Sequence, residues 1–271
     1  MRSKIHTALI VWVVAAGTAT AATPAIVAHR GASRDAPENT LAAIRLGFEQ
    51  GADFVEVDLR LTADQQIVLM HDAGSKRTGG VDIAVAAQTL AELKMLDVGS
   101  FKAAKWAGQR VPTLSEALAA VPPGKGMFLE LKTGPEIVPK LAETLAASQV
   151  SPEQIVIIAF NFATITAAKR RLPKYRSLWL VSPKQPDKGA PWSPAAESIA
   201  AQAQGAVDGL DLKACGAIDS KLMQHLKSAG LPVYVWTVND LATARRMRDL
   251  GVSGITTDRP RWLRDTLTPG D

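Results

Sequence analysis

Short apolar runs alternate along this chain with stretches whose apolar residues recur at helical spacing. The runs cover 26–29, 54–58, 67–71, 127–131, 155–160, 177–181, 207–212, 233–238 and 254–257. Between them, Leu41, Ile44 and Phe48 share one face of a helix predicted over 40–50, and Gly51 stands where that helix should stop. Thr113-Leu114-Ser115-Glu116 has the N-cap and third-position residues of a capping box. Residues 136–148, 162–171, 194–204, 217–229 and 240–250 read as further helices. Regular alternation of this kind predicts parallel strands joined by helical crossovers.

Nine runs are one more than a closed eight-stranded barrel needs, and spacing accounts for the extra one. Only twelve residues separate Asp58 from His71, too few for a parallel crossover with its helix. Leu61-Thr62-Ala63-Asp64-Gln65-Gln66 reads instead as a turn, so 54–60 and 67–71 should form a hairpin. A turn centred on residues 63 and 64 would set His71 opposite Glu56. The remaining eight runs fit an α/β fold of the (β/α)₈ barrel class. An open doubly wound sheet is disfavoured because no G-x-G-x-x-G follows the first strand. Residues 73–111 break the rhythm, with Gly74, Gly79, Gly80, Gly99 and Gly108 around one short helix predicted from Leu90 to Leu96. This segment is expected to be an insertion near the barrel mouth. Residues 182–194, with Pro183, Pro186, Pro191 and Pro194, form a second long loop.

The first residues add a compartment. Arg2 and Lys4 precede an apolar stretch from Ala8 to Ala16, and Ala19-Thr20-Ala21 follows. Basic, apolar and A-x-A segments in that order predict a secretory signal peptide over 1–21, cleaved near Ala21. The apolar stretch falls well short of the ~20 residues that span a bilayer. A single barrel domain over 22–271, periplasmic or secreted, is therefore expected. Loss of Arg2 and Lys4 lowers the net charge from +5 to +3. That mild excess suits an anionic substrate but not a nucleic-acid binder, which would show a basic cluster with aromatic platforms. The lone Cys215 has no partner for a disulfide and is expected to be a buried small residue. Oligomeric state leaves no mark in the sequence.

Chemistry concentrates at the ends of the first strands. His29 ends one apolar run, His71 ends another, and Glu56-Val57-Asp58 lies on a third. Residues two apart on a strand share a face, which pairs Glu56 with Asp58 and Glu130 with Lys132. Glu56, Asp58 and Glu130 meeting at a barrel mouth would hold a hard divalent cation through oxygen. One cysteine rules out thiolate ligation, and with only His29, His71 and His225 beyond the leader a histidine-rich zinc site is disfavoured. Each of these residues also has an ordinary structural explanation: a salt bridge from Arg60 to Glu56 or Asp58, from Lys132 to Glu130, or from Arg30 to Asp35. Arg30 otherwise offers a planar fork for phosphate oxygens. Trp236 is either core or a ligand contact, and His225 belongs to a helix away from the rest. Two imidazoles beside a cation are the parts needed for acid–base chemistry on a phosphate ester.

Several motifs then converge on one family. His29-Arg30-Gly31-Ala32-Ser33, Pro37-Glu38-Asn39-Thr40, Glu56-Val57-Asp58, His71-Asp72, Glu130-Leu131-Lys132, Trp236-Thr237-Val238-Asn239 and Thr257-Asp258-Arg259-Pro260 strongly resemble the glycerophosphodiester phosphodiesterases. So do Arg77-Thr78-Gly79-Gly80 and Val111-Pro112-Thr113-Leu114 in the irregular segment. One departure is Ala159-Phe160, where relatives have Ser-Phe. The resemblance implies a distorted (β/α)₈ barrel that binds Ca²⁺ or Mg²⁺ and hydrolyses glycerophosphodiesters to glycerol 3-phosphate and an alcohol. It implies Glu56, Asp58 and Glu130 as metal ligands and His29 and His71 as general acid and base. Arg30 and Lys132 would hold the phosphate. Phospholipase D-like action on lysophospholipids is the alternative, and a non-catalytic phosphodiester-binding protein is a more distant one.

Overall fold

The computed structural model describes residues 23–267, so the leader expected over 1–21 lies outside the described residues. Eight parallel strands close on themselves: β1 (Ala25–Ala28), β2 (Phe54–Leu61), β4 (Gly126–Leu131), β5 (Ile155–Ala159), β6 (Arg176–Val181), β7 (Gly209–Lys213), β8 (Val233–Trp236) and β9 (Gly254–Thr257). Closure comes from β1, which pairs with β9 on one side and β2 on the other. The extra run, 67–71, forms β3 (Ile67–Leu69), antiparallel to β2 and outside the ring, as the short spacing required. The architecture is a (β/α)₈ barrel.

Helices fill the crossovers: α1 (Leu41–Glu49), α4 (Leu114–Leu118), α5 (Val138–Ala146), α6 (Phe162–Arg171), α7 (Ala196–Ala203), α8 (Ser220–Ser228), α9 (Leu241–Asp249) and α10 (Pro260–Leu267). Thr40 caps α1 by accepting from the Ala43 amide, and the helix stops at Gly51, whose φ of 86° suits glycine. The Thr113–Glu116 capping box forms on α4 as expected. Helix α8 starts three residues later than its periodicity suggested, because Asp219 accepts from the Leu222 amide and fixes the first turn there.

The strands read as almost unbroken apolar runs because both of their faces are covered. Val55, Val57, Leu59, Leu129, Ile157, Leu210, Leu212 and Ile255 face outward under the helices. Val27, Phe128, Val156, Ile158, Leu178, Leu180 and Tyr234 fill the inside. Phe128 stands edge-on to both Phe54 and Tyr234, with ring centroids 5.3 and 5.1 Å apart, and these rings floor the barrel. Above the floor the inward positions turn polar, at Glu56, Asp58, Glu130 and Asp211.

Segment 73–111 carries α2 (Lys76–Gly79), α3 (Leu90–Met95) and two 3₁₀ turns. It packs Val85, Leu93, Val98 and Val111 against Val68 and Met70 of the hairpin. The hairpin register differs by one residue from the sequence expectation. Leu59 pairs with Leu69 and Leu61 with Ile67, which sets the turn on Asp64 and aligns position 71 with Val57 rather than Glu56. Gln65, in a left-handed conformation with φ 59°, supplies the extra turn residue. One residue of slip reverses the face, and His71 reaches the mouth because the chain leaves β3 after Leu69.

Candidate active site

The acidic triad forms on two neighbouring strands. Parallel pairing sets Asp58 beside Glu130 and Glu56 beside Phe128, so the three carboxylates cluster at the C-terminal end of β2 and β4. One oxygen from each lies within 4.8 Å of the others, and all three residues are buried. Burial, followed by the Asp58 and Glu130 charges, pushes the Glu56 carboxyl well above the usual range. Burial and Asp58 likewise raise Glu130. Against its own burial, Lys132 and Arg30 hold Asp58 below the usual range. Lys132 Nζ lies 2.7 Å from Glu130 Oε1 and 3.1 Å from Asp58 Oδ1. Among the described residues Glu56 Oε1 is buried with no donor, and the only partner of Asp58 Oδ1 is the Lys132 ammonium. Three buried carboxylates crowded this closely around an unpartnered oxygen fit a hard divalent cation.

A tight turn after β1 places Arg30. Arg30 and Gly31 both take left-handed backbone, with φ 54° and 83°. A Cβ on Gly31 would sit 2.4 Å from the Ala43 carbonyl carbon, so only glycine permits this approach to α1. The turn lets the Arg30 amide donate to Glu56 Oε2 at 2.8 Å. Its guanidinium reaches Glu38 at 3.0 Å and Asp58 at 3.3 Å, whereas the Asp35 partner considered from sequence accepts from Gln50 instead. Asn39 completes the cradle, donating through Nδ2 to Asp58 Oδ2 while its Oδ1 accepts from the Asp58 amide.

Both histidines are backed by aspartates. His29 Nδ1 lies 2.7 Å from Asp258 Oδ1, and His71 Nδ1 lies 2.7 Å from Asp72 Oδ1. The His29 contact, with hydrogen bonds donated by Asn239 and Ser33, brings the Asp258 pKa down to about 2 against its burial. Hydrogen bonds from Arg77 and His71 hold Asp72 far below the ordinary carboxylate range. Burial lowers the His71 pKa, with the Asp58 charge opposing. Arg60 is not a partner for Glu56 or Asp58; its guanidinium donates to the His71 carbonyl at 2.6 and 3.0 Å and pins that backbone. In each imidazole the Nδ1 contact leaves Nε2 for other work.

A cavity of about 70 Å³ opens between these groups, lined by His29, Arg30, Glu56, Glu130, Lys132, Asp211 and, on the apolar side, Ile158, Phe160, Leu180 and Trp236. Trp236 is half-buried, donates from Nε1 to the Asp211 carbonyl at 3.2 Å and stands edge-on to Phe160 at 5.4 Å. Trp236 thus packs against the barrel interior and also forms part of the cavity wall. His71 sits to one side, near Glu38 and Asn39. His225 is exposed on α8, away from this cluster. Cys215 is half-buried rather than buried, because it lies on the loop before α8, where its carbonyl accepts from Arg246.

Five participants escaped the sequence reading as individual residues: Glu38, Asp72, Arg77, Asp211 and Asp258. Four of them sat inside quoted motifs, where Asp72 adjoins His71 and Arg77 precedes a glycine pair, but nothing local singled out Glu38 or Asp258. Asp211 had only its strand parity.

The glycerophosphoryl diester phosphodiesterase family model matches residues 29–261. A glycerophosphodiester phosphodiesterase of Caldanaerobacter subterraneus is 32% identical over 251 residues, covering 90% of this chain and 98% of that one. A mouse lysophospholipase D is 28% identical over 89% of this chain and 85% of its own. Among solved structures, an Oleispira antarctica phosphodiesterase in complex with its product sn-glycerol 3-phosphate superposes with a TM-score of 0.79 at 30% identity, covering 91% and 98% of the two chains. On this match across nearly its whole length, the chain belongs to the glycerophosphoryl diester phosphodiesterase family.

Proposed function

We propose that this mouth hydrolyses glycerophosphodiesters to sn-glycerol 3-phosphate and an alcohol, with His29 and His71 dividing the proton transfers. The observation that carries the reading is the pair of aspartate-backed imidazoles beside one buried carboxylate triad. Each aspartate fixes its ring in orientation through the Nδ1 contact, as a proton donor or acceptor requires. One Nε2 takes the proton of the attacking oxygen, and the other delivers a proton to the departing alkoxide. Arg30 and Lys132 place two fixed positive charges against the phosphate oxygens, and both are held in place by Glu38, Asp58 and Glu130. Glu56, Asp58 and Glu130 would hold a divalent cation, Ca²⁺ or Mg²⁺, which when bound neutralises charge on the phosphoryl group. The phosphodiesterase activity and product named for the relatives support the same chemistry.

A lysophospholipase D activity is the second reading. It is favoured by the exposed Phe160, 45% accessible at the rim of the cavity, and by the mouse relative. Release of sn-glycerol 3-phosphate from glycerophosphocholine and glycerophosphoethanolamine, measured with Ca²⁺, Mg²⁺ or chelator, tests the first. Choline release from lysophosphatidylcholine tests the second. Binding without turnover under every metal condition would reject both.

Segment 73–111 acts in this scheme as an insertion that completes the mouth, since Arg77 reaches Glu38 and Asp72 and Lys102 donates to the Ser33 carbonyl. The basic and apolar leader supports export of the enzyme, and N-terminal sequencing of the mature protein from a secreting host tests the cut near Ala21. Among the described residues no helix is long and apolar enough to cross a membrane.

A further inference from the structure

Asp211 is a carboxyl with no partner. It occupies an inward position on β7, between Leu180 of β6 and Tyr234 of β8, both of which face the apolar interior. The residue is 2% exposed, and among the described residues no hydrogen bond or ion pair holds its side chain. A polar group in that condition is unfavourable unless something else satisfies it. It stands outside the Glu56–Asp58–Glu130 triad yet lines the same cavity. Burial and the Glu130 charge push its pKa well above the carboxylate range, which favours a carboxyl able to donate and accept together.

The cavity has two unlike sides. Arg30, Glu56, Glu130 and Lys132 line it from β1, β2 and β4 and the turns that follow them, the side suited to an anionic phosphate. Leu180, Ile158, Phe160 and Trp236 face the other, and Asp211 is the polar group among them. The cavity is small, about 70 Å³. A carbon chain carrying hydroxyls fits that mixture: the carbons lie on the aromatic wall and a hydroxyl meets the carboxyl.

Building on the phosphodiesterase reading above, we propose that Asp211 is a substrate-recognition residue that hydrogen-bonds a hydroxyl of the glycerol moiety and so selects glycerol esters over other phosphate esters. Sites built to hydrogen-bond a hydroxyl discriminate strongly against analogues that lack it, because the buried partner is left unpaired.

The test is calorimetric binding of sn-glycerol 3-phosphate and of methyl phosphate, which lacks hydroxyls, to protein saturated with Ca²⁺ or Mg²⁺. The unsubstituted protein should prefer sn-glycerol 3-phosphate by about tenfold or more. Asp211→Leu should remove the preference while leaving methyl phosphate affinity and cation affinity unchanged. Asp211→Asn, equal in shape and able to donate and accept, should retain most of it. Equal weakening of both phosphates in Asp211→Leu, an unchanged preference, or loss of cation binding in Asp211→Asn would overturn the assignment. Should Asp211→Leu not fold, an Asp211→Asn protein that binds both phosphates alike overturns it as well. Turnover of glycerophosphocholine by the unsubstituted protein is read separately. Its absence beside an Asp211-dependent preference rejects the catalytic reading and keeps the binding one.

Discussion

Arg77 and Glu38 meet in a two-pronged ion pair, Nη1 to Oε2 and Nη2 to Oε1, each at 2.8 Å. The same guanidinium donates through Nε to Asp72 at 2.7 Å. Glu38 in turn accepts from Arg30, and Asp72 from the His71 ring. One exposed arginine from the irregular segment therefore braces both Arg30, through Glu38, and the His71 imidazole, through Asp72. Replacing it with methionine should lower kcat about 10- to 100-fold through misplacement of groups it never shares with substrate. Stability should change by less than about 1 kcal/mol, since Arg77 is largely solvated. Arg77→Lys should recover little, because an ammonium cannot serve both carboxylates in the fork geometry. Steady-state kinetics and thermal melts of the two variants check this.

His71→Ala should abolish most hydrolysis, with kcat down by about 10²- to 10⁴-fold, while the protein melts near the unsubstituted value. His71 is half-buried at the rim and its loss opens no apolar cavity. A variant that kept most of its turnover would reject the acid–base role.

The barrel and the acidic triad were legible because parity and spacing encode them directly. Glu56, Asp58 and Glu130 sit on strands whose registers follow from the parallel fold, so facing one another needed no further information. Hairpin register was not legible, since a left-handed Gln65 adds a turn residue that composition does not announce. The Arg30 partner was misjudged because sequence proximity favoured Asp35, whereas the left-handed turn at Arg30 and Gly31 swings the guanidinium toward Glu38 and Asp58. Asp258 lies 229 positions from His29, and only closure of β1 on β9 brings them to 2.7 Å.

Closure through that pair also has a pH signature. The folded-state pKa of Asp258 is about 2, below its ordinary 3.8, so it contributes stability above pH 3.8 that is lost as pH falls through about 2. With its side chain one-third exposed, the contribution is about 1–2 kcal/mol after screening. Urea unfolding at pH 6 should show Asp258→Asn less stable by that amount, and the difference should shrink toward nil between pH 4 and pH 2. A gap that stayed constant over this range would detach the stabilisation from ionised Asp258. Activity should fall alongside at neutral pH, because the 2.7 Å contact that orients the His29 ring is altered.

Cation binding should reverse the sign of a substitution at Glu56. Without a cation, Glu56 faces two like-charged neighbours in a buried cluster, an arrangement that opposes folding. Glu56→Gln removes that repulsion and keeps an oxygen to accept from the Arg30 amide, so in chelator the variant should melt at or above the unsubstituted protein. With Ca²⁺ or Mg²⁺ at about 100 times its Kd, the unsubstituted protein gains about 2.7 kcal/mol, which for a chain of this size is about 5–10 °C in Tm. Glu56→Gln should gain far less and lose turnover. Melts with metal and with chelator give four values. A cation shift of equal size in both proteins would place the ion elsewhere, whereas a shift confined to the intact triad ties binding, folding and hydrolysis to the same carboxylates.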